Sequence, residues 1–269
     1  MKNSFFTGLY IVLVFIITTA GLLLGNEQIL YLILLFLGLT ALAFQKFIHK
    51  KPILELGYKW PSAAWIIYAV VYSLSAILLI VVVDFLTGWT QLQSQEAIRS
   101  SVNFTVKGSL PMVILLFVLL QWILTSLINL ITEELTFRGY ILTRLQKLGT
   151  WKAVLFSSLL FGLWHVPVAI LIIKSGWLRI FLYAVNISLL GIGFGWLFIR
   201  SGSLIPACIA HGLWNALEYT FWGMGNHTGV FVGAQRVLFD PEEGAAGTII
   251  LLIFAVFFMI NLGKLKLKK

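Results

Sequence analysis

Residues 110–146 read LPMVILLFVLLQWILTSLINLITEELTFRGYILTRLQ. The stretch opens with a long apolar run, and about 20 such residues are enough for a helix to cross the hydrocarbon core of a bilayer. In lipid a backbone must satisfy its own hydrogen bonds, and the run lacks the alternation that is typical of barrel strands. The stretch therefore predicts a transmembrane helix whose far end carries the acidic pair Glu133 and Glu134.

The composition of the whole chain is that of a membrane protein. Of 269 residues, 60% are hydrophobic and 11% are charged, which excludes a soluble globular protein. The 21 Phe and 10 Trp residues exclude a disordered chain, because they supply more apolar surface than such chains contain. With a single cysteine, Cys208, the chain has no means of forming an intramolecular disulfide.

We predict an all-α fold, a polytopic transmembrane bundle of about eight spans. The predicted spans run from Phe5 to Gly25, Ile29 to Phe44, Ala63 to Leu86, Leu110 to Thr132, Val154 to Ile173, Ile180 to Ile199, Leu204 to Phe221 and Thr248 to Leu262. The expected parts of this one integral membrane domain are three N-terminal spans with a surface connection (1–109), a core (110–222), and an outer loop with the last span and a basic tail (223–269).

The distribution of Lys and Arg predicts the orientation of the bundle, because connections on the cytoplasmic side carry the excess of these residues. With eight spans, fourteen basic residues fall on the side of both termini and five on the other side. The five are Arg99, Lys107, Lys174, Arg179 and Arg236. Both termini are therefore expected in the cytoplasm, and we interpret the net charge of +9 as a topology signal rather than as nucleic-acid binding.

Three predicted spans carry ionisable side chains, although each such residue costs roughly 2.5–3.5 kcal/mol to insert. The fourth span continues in a helical pattern to about Gln146 and carries Glu133, the fifth carries His165, and the seventh carries His211. From the helical rise, Glu133 and His165 are expected about 20 Å from the cytoplasmic ends of their helices, and His211 roughly 13 Å. The similar depths predict a shared, water-filled cavity that opens toward the cytoplasm.

The spacing along each helix predicts which polar side chains meet, since residues four apart share a face. Glu134 and Arg138 are such a pair and can neutralise each other. Glu133 has no partner on its own helix, so it must be protonated or be held by a histidine from another helix. His211 and Asn215 also share a face, so their imidazole and amide groups are expected to project into the same cavity.

Three motifs, in this order along the chain, resemble those of a known family. The motifs are Glu133-Glu134-x-x-Phe137-Arg138-Gly139, Phe161-x-x-x-His165 and His211-x-x-x-Asn215. They are similar to the motifs of the CAAX-protease and bacteriocin-processing intramembrane family, also called the Abi family, whose eukaryotic relative is the Ras-converting CAAX endopeptidase. The resemblance covers roughly Leu110 to Leu217, whereas the first three spans are generic.

The resemblance implies a CAAX-type intramembrane glutamic endopeptidase, a peptide hydrolase that uses no cofactor and no metal. The catalytic side chains that it implies are Glu133, His165, His211 and Asn215. In this family Glu133 would be the general base on a water molecule, and His165 would assist it. His211 and Asn215 would stabilise the oxyanion. Glu134 and Arg138 are implied to support the site.

Other interpretations of the same residues are still open at this point. An acidic pair is often a solvated helix end, and a lone intramembrane histidine is often a packing residue. Two histidines with Glu133 also supply enough ligands for a zinc metalloprotease, although no His-Glu-x-x-His helix is present. A membrane scaffold or bacteriocin-immunity protein that uses the same cavity is a non-enzymatic alternative. A transporter is less favoured, because the polar groups approach from one side only.

The expected partners are the lipid bilayer and a membrane-associated peptide or protein substrate, and not nucleic acid. Nothing in the sequence specifies a groove for a prenyl group on that substrate. The compact connections favour a multi-pass protein of a prokaryotic plasma membrane.

Overall fold

The computed structural model describes residues 2–24, 27–102, 108–174, 176–224 and 227–263. Several residues used in the span and orientation predictions lie outside these ranges, namely Gly25, Lys107, Lys264, Lys266, Lys268 and Lys269.

Helices make up most of the described chain, as expected for a backbone that must satisfy its own hydrogen bonds in lipid. In chain order they are α1 (Lys2–Leu23), α2 (Glu27–Ala43), α3 (Ala63–Thr87), α4 (Gln95–Val102), α5 (Leu110–Asn129), α6 (Thr143–Leu145), α7 (Thr150–Val168), α8 (Trp177–Ser201), α9 (Leu204–Phe221), α10 (Arg236–Phe239) and α11 (Ala245–Gly263). The shorter turns are π-helical at Phe44–Ile48, Leu135–Leu142 and Ala169–Ile173, and 3-10 at Ile53–Leu56 and Gln146–Leu148. The prediction of an all-α polytopic bundle is thus confirmed.

A small sheet adds to this helical architecture. The strands β1 (Gln91–Leu92) and β2 (Phe231–Val232) pair antiparallel, with Gln91 opposite Val232. The pairing ties the connection after α3 to the connection after α9.

Within the described ranges, six helical segments are long and apolar enough to cross a membrane. They are Ser4–Leu23, Ala63–Thr87, Leu110–Asn129, Thr150–Ile173, Trp177–Ser201 and Ala245–Leu262. The second predicted span appears only as a shorter apolar helix, Leu32–Ile48, and α9 is made less hydrophobic by His211, Asn215 and Glu218. The count of eight and the orientation of the termini therefore stay predictions.

The acidic pair begins a new helical segment instead of continuing the fourth predicted span. α5 ends at Asn129, whereas the sequence predicted a helix to about Gln146. A turn at residues 130–132 separates α5 from Glu133, and the π-helix Leu135–Leu142, here called the central π-helix, follows. Such π-helical turns are rare and are often found at functional sites.

The turn before Glu133 is held by residues from distant parts of the chain. The Tyr58 hydroxyl donates a hydrogen bond to the Leu130 carbonyl at 2.9 Å. Gly38 of α2 lies directly against the Ile131 carbonyl, where a Cβ atom would clash. Because both contacts are long-range, the periodicity of residues 110–146 does not predict the break.

α9 packs against α3, α5 and α8 and so occupies the middle of the bundle. Hydroxyl groups of two neighbouring helices donate to its backbone on either side of His211. Ser73 Oγ of α3 bonds the Ala210 carbonyl at 2.8 Å, and Thr125 Oγ1 of α5 bonds the Gly212 carbonyl at 3.1 Å. Interhelical hydrogen bonds of this kind fix the register of packed helices in a membrane.

The connection between α10 and α11, residues 240–244, is buried. The sequence predicted an outer loop at this position, and we call the segment the acidic loop because it contains Asp240, Glu242 and Glu243. Asp240 Oδ1 accepts hydrogen bonds from the backbone N–H groups of Glu242 at 2.9 Å and of Glu243 at 2.8 Å. The loop therefore closes on itself and turns into the bundle.

Candidate active site

Three predicted site residues from three different elements meet in one place. Glu133 lies two residues before the start of the central π-helix, His165 lies on α7, and His211 lies on α9. Glu133 Oε2 is 3.8 Å from His165 Nε2 and 4.0 Å from His211 Nε2. The exposed fractions of the three side chains are 15%, 12% and 6%, so the site is mostly buried.

The distances from Glu133 to the two imidazoles are too long for direct hydrogen bonds. Among the described residues, Glu133 Oε2 has no hydrogen-bond partner, although it is buried. Buried polar atoms are nearly always hydrogen-bonded, and an exception points to a functional role or to a bound molecule. This oxygen, which lies near both imidazoles, is therefore a candidate reactive atom of the site.

Glu134 holds the second histidine in place. Its Oε1 accepts hydrogen bonds from Arg138 Nη1 at 2.9 Å and from His211 Nδ1 at 2.8 Å. The spacing along the chain predicted the pair with Arg138, but it gave no sign of the contact with His211, which comes from another helix. Glu134 and Arg138 are 0% and 1% exposed, so these charge-assisted bonds are sheltered from water.

The Arg138 guanidinium is enclosed by the elements around it. It lies 4.2 Å from the ring centre of Phe161 and 5.3 Å from that of Phe194. Its Nη2 donates to the carbonyl of Gly191 at 3.4 Å. These contacts from α7 and α8 orient the arginine, and through it Glu134.

Hydrogen-bond partners assign the tautomers of both histidines. His165 Nδ1 lies 2.8 Å from the Phe161 carbonyl, which can only accept, so Nδ1 carries a hydrogen. His211 Nδ1 likewise donates to the carboxylate of Glu134. Both rings therefore turn their Nε2 atoms toward Glu133.

Aromatic rings form the walls of the pocket. Phe161 meets the His165 ring edge-on at 4.6 Å, and Phe194 stacks on the His211 ring at 4.9 Å. Trp164 and Tyr183 also lie edge-on to His165, at 4.8 Å and 5.9 Å. Phe161 belongs to the second sequence motif, but no motif position marks Trp164 or the two residues from α8, Phe194 and Tyr183.

Asn215 follows His211 by one turn of α9 and is partly buried. Between them, Trp214 is 1% exposed, and its indole N–H donates to Glu242 Oε1 at 2.8 Å. Glu242 belongs to the acidic loop and was not among the predicted site residues. The signal available in the sequence was an acidic pair, Glu242 and Glu243, in apolar surroundings.

The grouping of potential ligand side chains bears on whether the site suits a metal ion. In the part of the chain that the structure describes, no three His, Cys, Asp or Glu side chains are grouped so as to hold one. The site presents a carboxylate and two imidazoles, and Asn215 lies one helical turn beyond His211 along α9.

Residues 114–217 match the family described as Rce1-like, the type II CAAX prenyl endopeptidase Rce1-like proteins. The matched range includes all three motifs, from Glu133 to Asn215. No curated protein matches the chain.

Proposed function

This chain is a member of the CAAX protease family through its Rce1-like core at residues 114–217, and we propose that it is an intramembrane glutamic endopeptidase. Its proposed substrate is a membrane-associated peptide or protein, and its proposed location is a prokaryotic plasma membrane. The observation that carries the proposal is the position of Glu133 Oε2, 3.8 Å and 4.0 Å from two imidazole nitrogens.

Glu133 and His165 are suited to hold a nucleophilic water between them. Because His165 Nδ1 donates to a carbonyl, the neutral ring offers the lone pair of Nε2. A water that donates one hydrogen to Glu133 and the other to His165 turns its own lone pair outward, toward the carbonyl carbon of a bound peptide. His165 thereby orients the water, and Glu133 acts as the general base.

The charges of the buried site suggest a role for His211. Glu133 and Glu134 carry two negative charges when ionised, and Arg138 supplies one positive charge. Neutrality in a buried cluster requires one more proton, which the interacting groups share. We place it on His211 Nε2, because this leaves Glu133 ionised as a base and gives the imidazolium an N–H to donate.

Peptide hydrolysis then proceeds in two steps. The water oxygen forms a bond to the substrate carbonyl carbon while Glu133 takes one of its protons, and the negative charge moves to the carbonyl oxygen. His211 Nε2–H and the Asn215 amide stabilise that oxyanion, and a single donor of this type contributes about 2.7–4 kcal/mol in comparable sites. The C–N bond breaks next, and Glu133 returns its proton to the leaving amine.

The proposal is tested by comparing membranes that contain wild type or Glu133→Gln. We expect the variant to be expressed at the normal level and to cleave nothing, because the amide cannot accept the proton. Mass spectrometry of peptide termini would then show cleavage products with wild type alone. The matched control is Glu55→Gln, the same change on a carboxylate that is 43% exposed. Equal product formation by wild type and Glu133→Gln would refute the assignment.

A metal-dependent mechanism and a non-enzymatic role predict different results. Activity that survives chelation, in protein shown by elemental analysis to be free of zinc, agrees with a glutamate base. Loss of activity on chelation and its return with zinc would favour a metalloprotease. A biological function that persists in the double variant Glu133→Gln, His165→Ala would favour a scaffold or immunity protein.

A further inference from the structure

The hydrogen bond between Trp214 and Glu242 links the acidic loop to the helix that carries two proposed catalytic residues. Trp214 is three residues after His211 and directly before Asn215 on α9. Residues three and four apart are neighbours on a helix surface, so Trp214 lies beside His211 on the α9 surface. Its indole N–H reaches Glu242 Oε1 at 2.8 Å, and both side chains are buried.

The acidic loop presents Glu242 in a fixed position. Asn186 Nδ2 of α8 donates to the carbonyls of Glu242 at 3.0 Å and Gly244 at 3.1 Å. Thr248 Oγ1 of α11 donates to Asn186 Oδ1 at 2.8 Å, which orients the amide. The loop is thereby bonded to α8 and α11, while its carboxyl group reaches α9.

The surroundings of Glu242 favour its neutral form at physiological pH. Burial raises the pKa of Glu242 to about 8, the hydrogen bond from Trp214 opposes this rise, and nearby carboxylates including Glu133 add to it. The other titratable groups around this carboxyl are Tyr183, Glu218, Asp240 and Glu243. Arg236 is paired with Asp240, and Arg179 is paired with Glu243. An added negative charge at Glu242 would therefore lie in the same buried region as Glu133.

We propose that Glu242 is a positioning residue of the active site, which accepts the Trp214 indole hydrogen in its neutral form and so holds the face of α9 that carries His211 and Asn215. The inference rests on the proposed peptidase function. Two consequences follow for the reaction. Loss of the bond misplaces the oxyanion donors, and ionisation of Glu242 opposes the negative charge that develops on the substrate oxygen.

Removal of either partner of the bond tests the positioning role. Glu242→Ala and Trp214→Phe are each expected to lower kcat about tenfold with little change in KM, since the bond acts on transition-state donors. The double variant is expected to be no slower than either single one, because both remove the same bond. Glu96→Ala, an exposed carboxylate on α4, is the control. Wild-type kcat in Glu242→Ala, or additive losses in the double variant, would overturn the proposal.

Glu242→Gln separates positioning from a purely structural effect. Its side-chain oxygen still accepts a hydrogen bond, so it is expected to restore the kcat lost in Glu242→Ala. In wild type, kcat is expected to fall as pH rises through about 8, when the carboxyl ionises. This alkaline decline should be weaker in Glu242→Gln, in which no carboxyl group at position 242 can ionise. An identical decline in both proteins would contradict the role assigned to the carboxyl.

A spectroscopic measurement tests the inference without an assay of peptide cleavage. In full-length protein with ¹⁵N-labelled tryptophan, the indole signal of Trp214 is identified by its absence in Trp214→Phe. It is expected to shift with a midpoint near pH 8 in wild type and to stay fixed in Glu242→Gln. An indole signal that does not titrate would overturn the inference even if the enzyme is active. A titrating signal in a protein that cleaves no peptide would instead count against the proposed function.

Discussion

Glu133 and Glu134 are adjacent residues of the same type, yet their environments differ completely. Neighbouring side chains on a helix point about 100° apart, so the two carboxylates face different partners. Glu134 is bonded to Arg138 and His211, whereas Glu133 faces two imidazole nitrogens beyond hydrogen-bond distance. One carboxylate is thus bound within the fold, and the other is available for chemistry.

The difference between the two glutamates predicts that the same substitution lowers thermal stability at Glu134 but not at Glu133. Glu134→Gln leaves Arg138 uncompensated in a buried site, and breaking such a pair costs about 3–5 kcal/mol. A clear drop of the melting temperature in detergent is therefore expected, together with slower cleavage through the freed His211. Glu133→Gln, the matched control, should abolish cleavage without lowering the melting temperature. Unchanged thermal stability of Glu134→Gln would contradict a stabilising role for the bonds of Glu134 to Arg138 and His211.

At the scale of elements, the site depends on how closely α9 approaches its neighbours. A Cβ atom added at Gly212 would lie 2.7 Å from the Ser126 nitrogen of α5. The backbone cannot yield as a flexible side chain does, so the two helices would have to separate. His211 is the residue next to this contact, and its distance to Glu133 on another element would change with it.

Gly212→Ala is accordingly expected to impair both folding and catalysis. Forcing extra atoms into a packed interior costs about 1–3 kcal/mol, which should appear as a lower melting temperature. Displacement of His211 should reduce kcat more than the loss of stability alone explains. Gly8→Ala on α1 is the control, because a Cβ at Gly8 meets no atom within 4 Å. Equal melting temperatures and equal kcat values of Gly212→Ala and Gly8→Ala would contradict this prediction.

For the whole molecule, the arrangement in the bilayer determines which side supplies the substrate. α3 runs from Ala63 to Thr87 and connects two opposite ends of the bundle. Lys50 lies near one end, before α3, and Ser94 lies near the other, after it. The excess of Lys and Arg predicts that the end near Lys50 faces the cytoplasm.

Single-cysteine labelling tests this orientation directly. The native Cys208 is only 3% exposed, so we do not expect it to react with the maleimide. In intact cells a membrane-impermeant maleimide is expected to label Ser94→Cys, and to label Lys50→Cys only after the membrane is permeabilised. The reverse labelling pattern would place the end near Lys50 outside the cell and would contradict the predicted orientation.

The sequence by itself determined the membrane class, the helical bundle and the three polar motifs. Apolar length and composition are local properties, and a backbone in lipid has no alternative to a helix or a closed barrel. The Glu134–Arg138 pair was predictable for the same reason, since a spacing of four residues places both on one face.

The tertiary structure alone decided how these pieces meet. The turn before Glu133, the bond from His211 to Glu134 and the bond from Trp214 to Glu242 all join residues that are distant in sequence. Periodicity reports the face that a residue occupies on its own helix, but it does not report the rotation, depth and register of one helix against another. Those quantities arise from packing among all the helices, and they decide which of two adjacent glutamates is bonded to both Arg138 and His211.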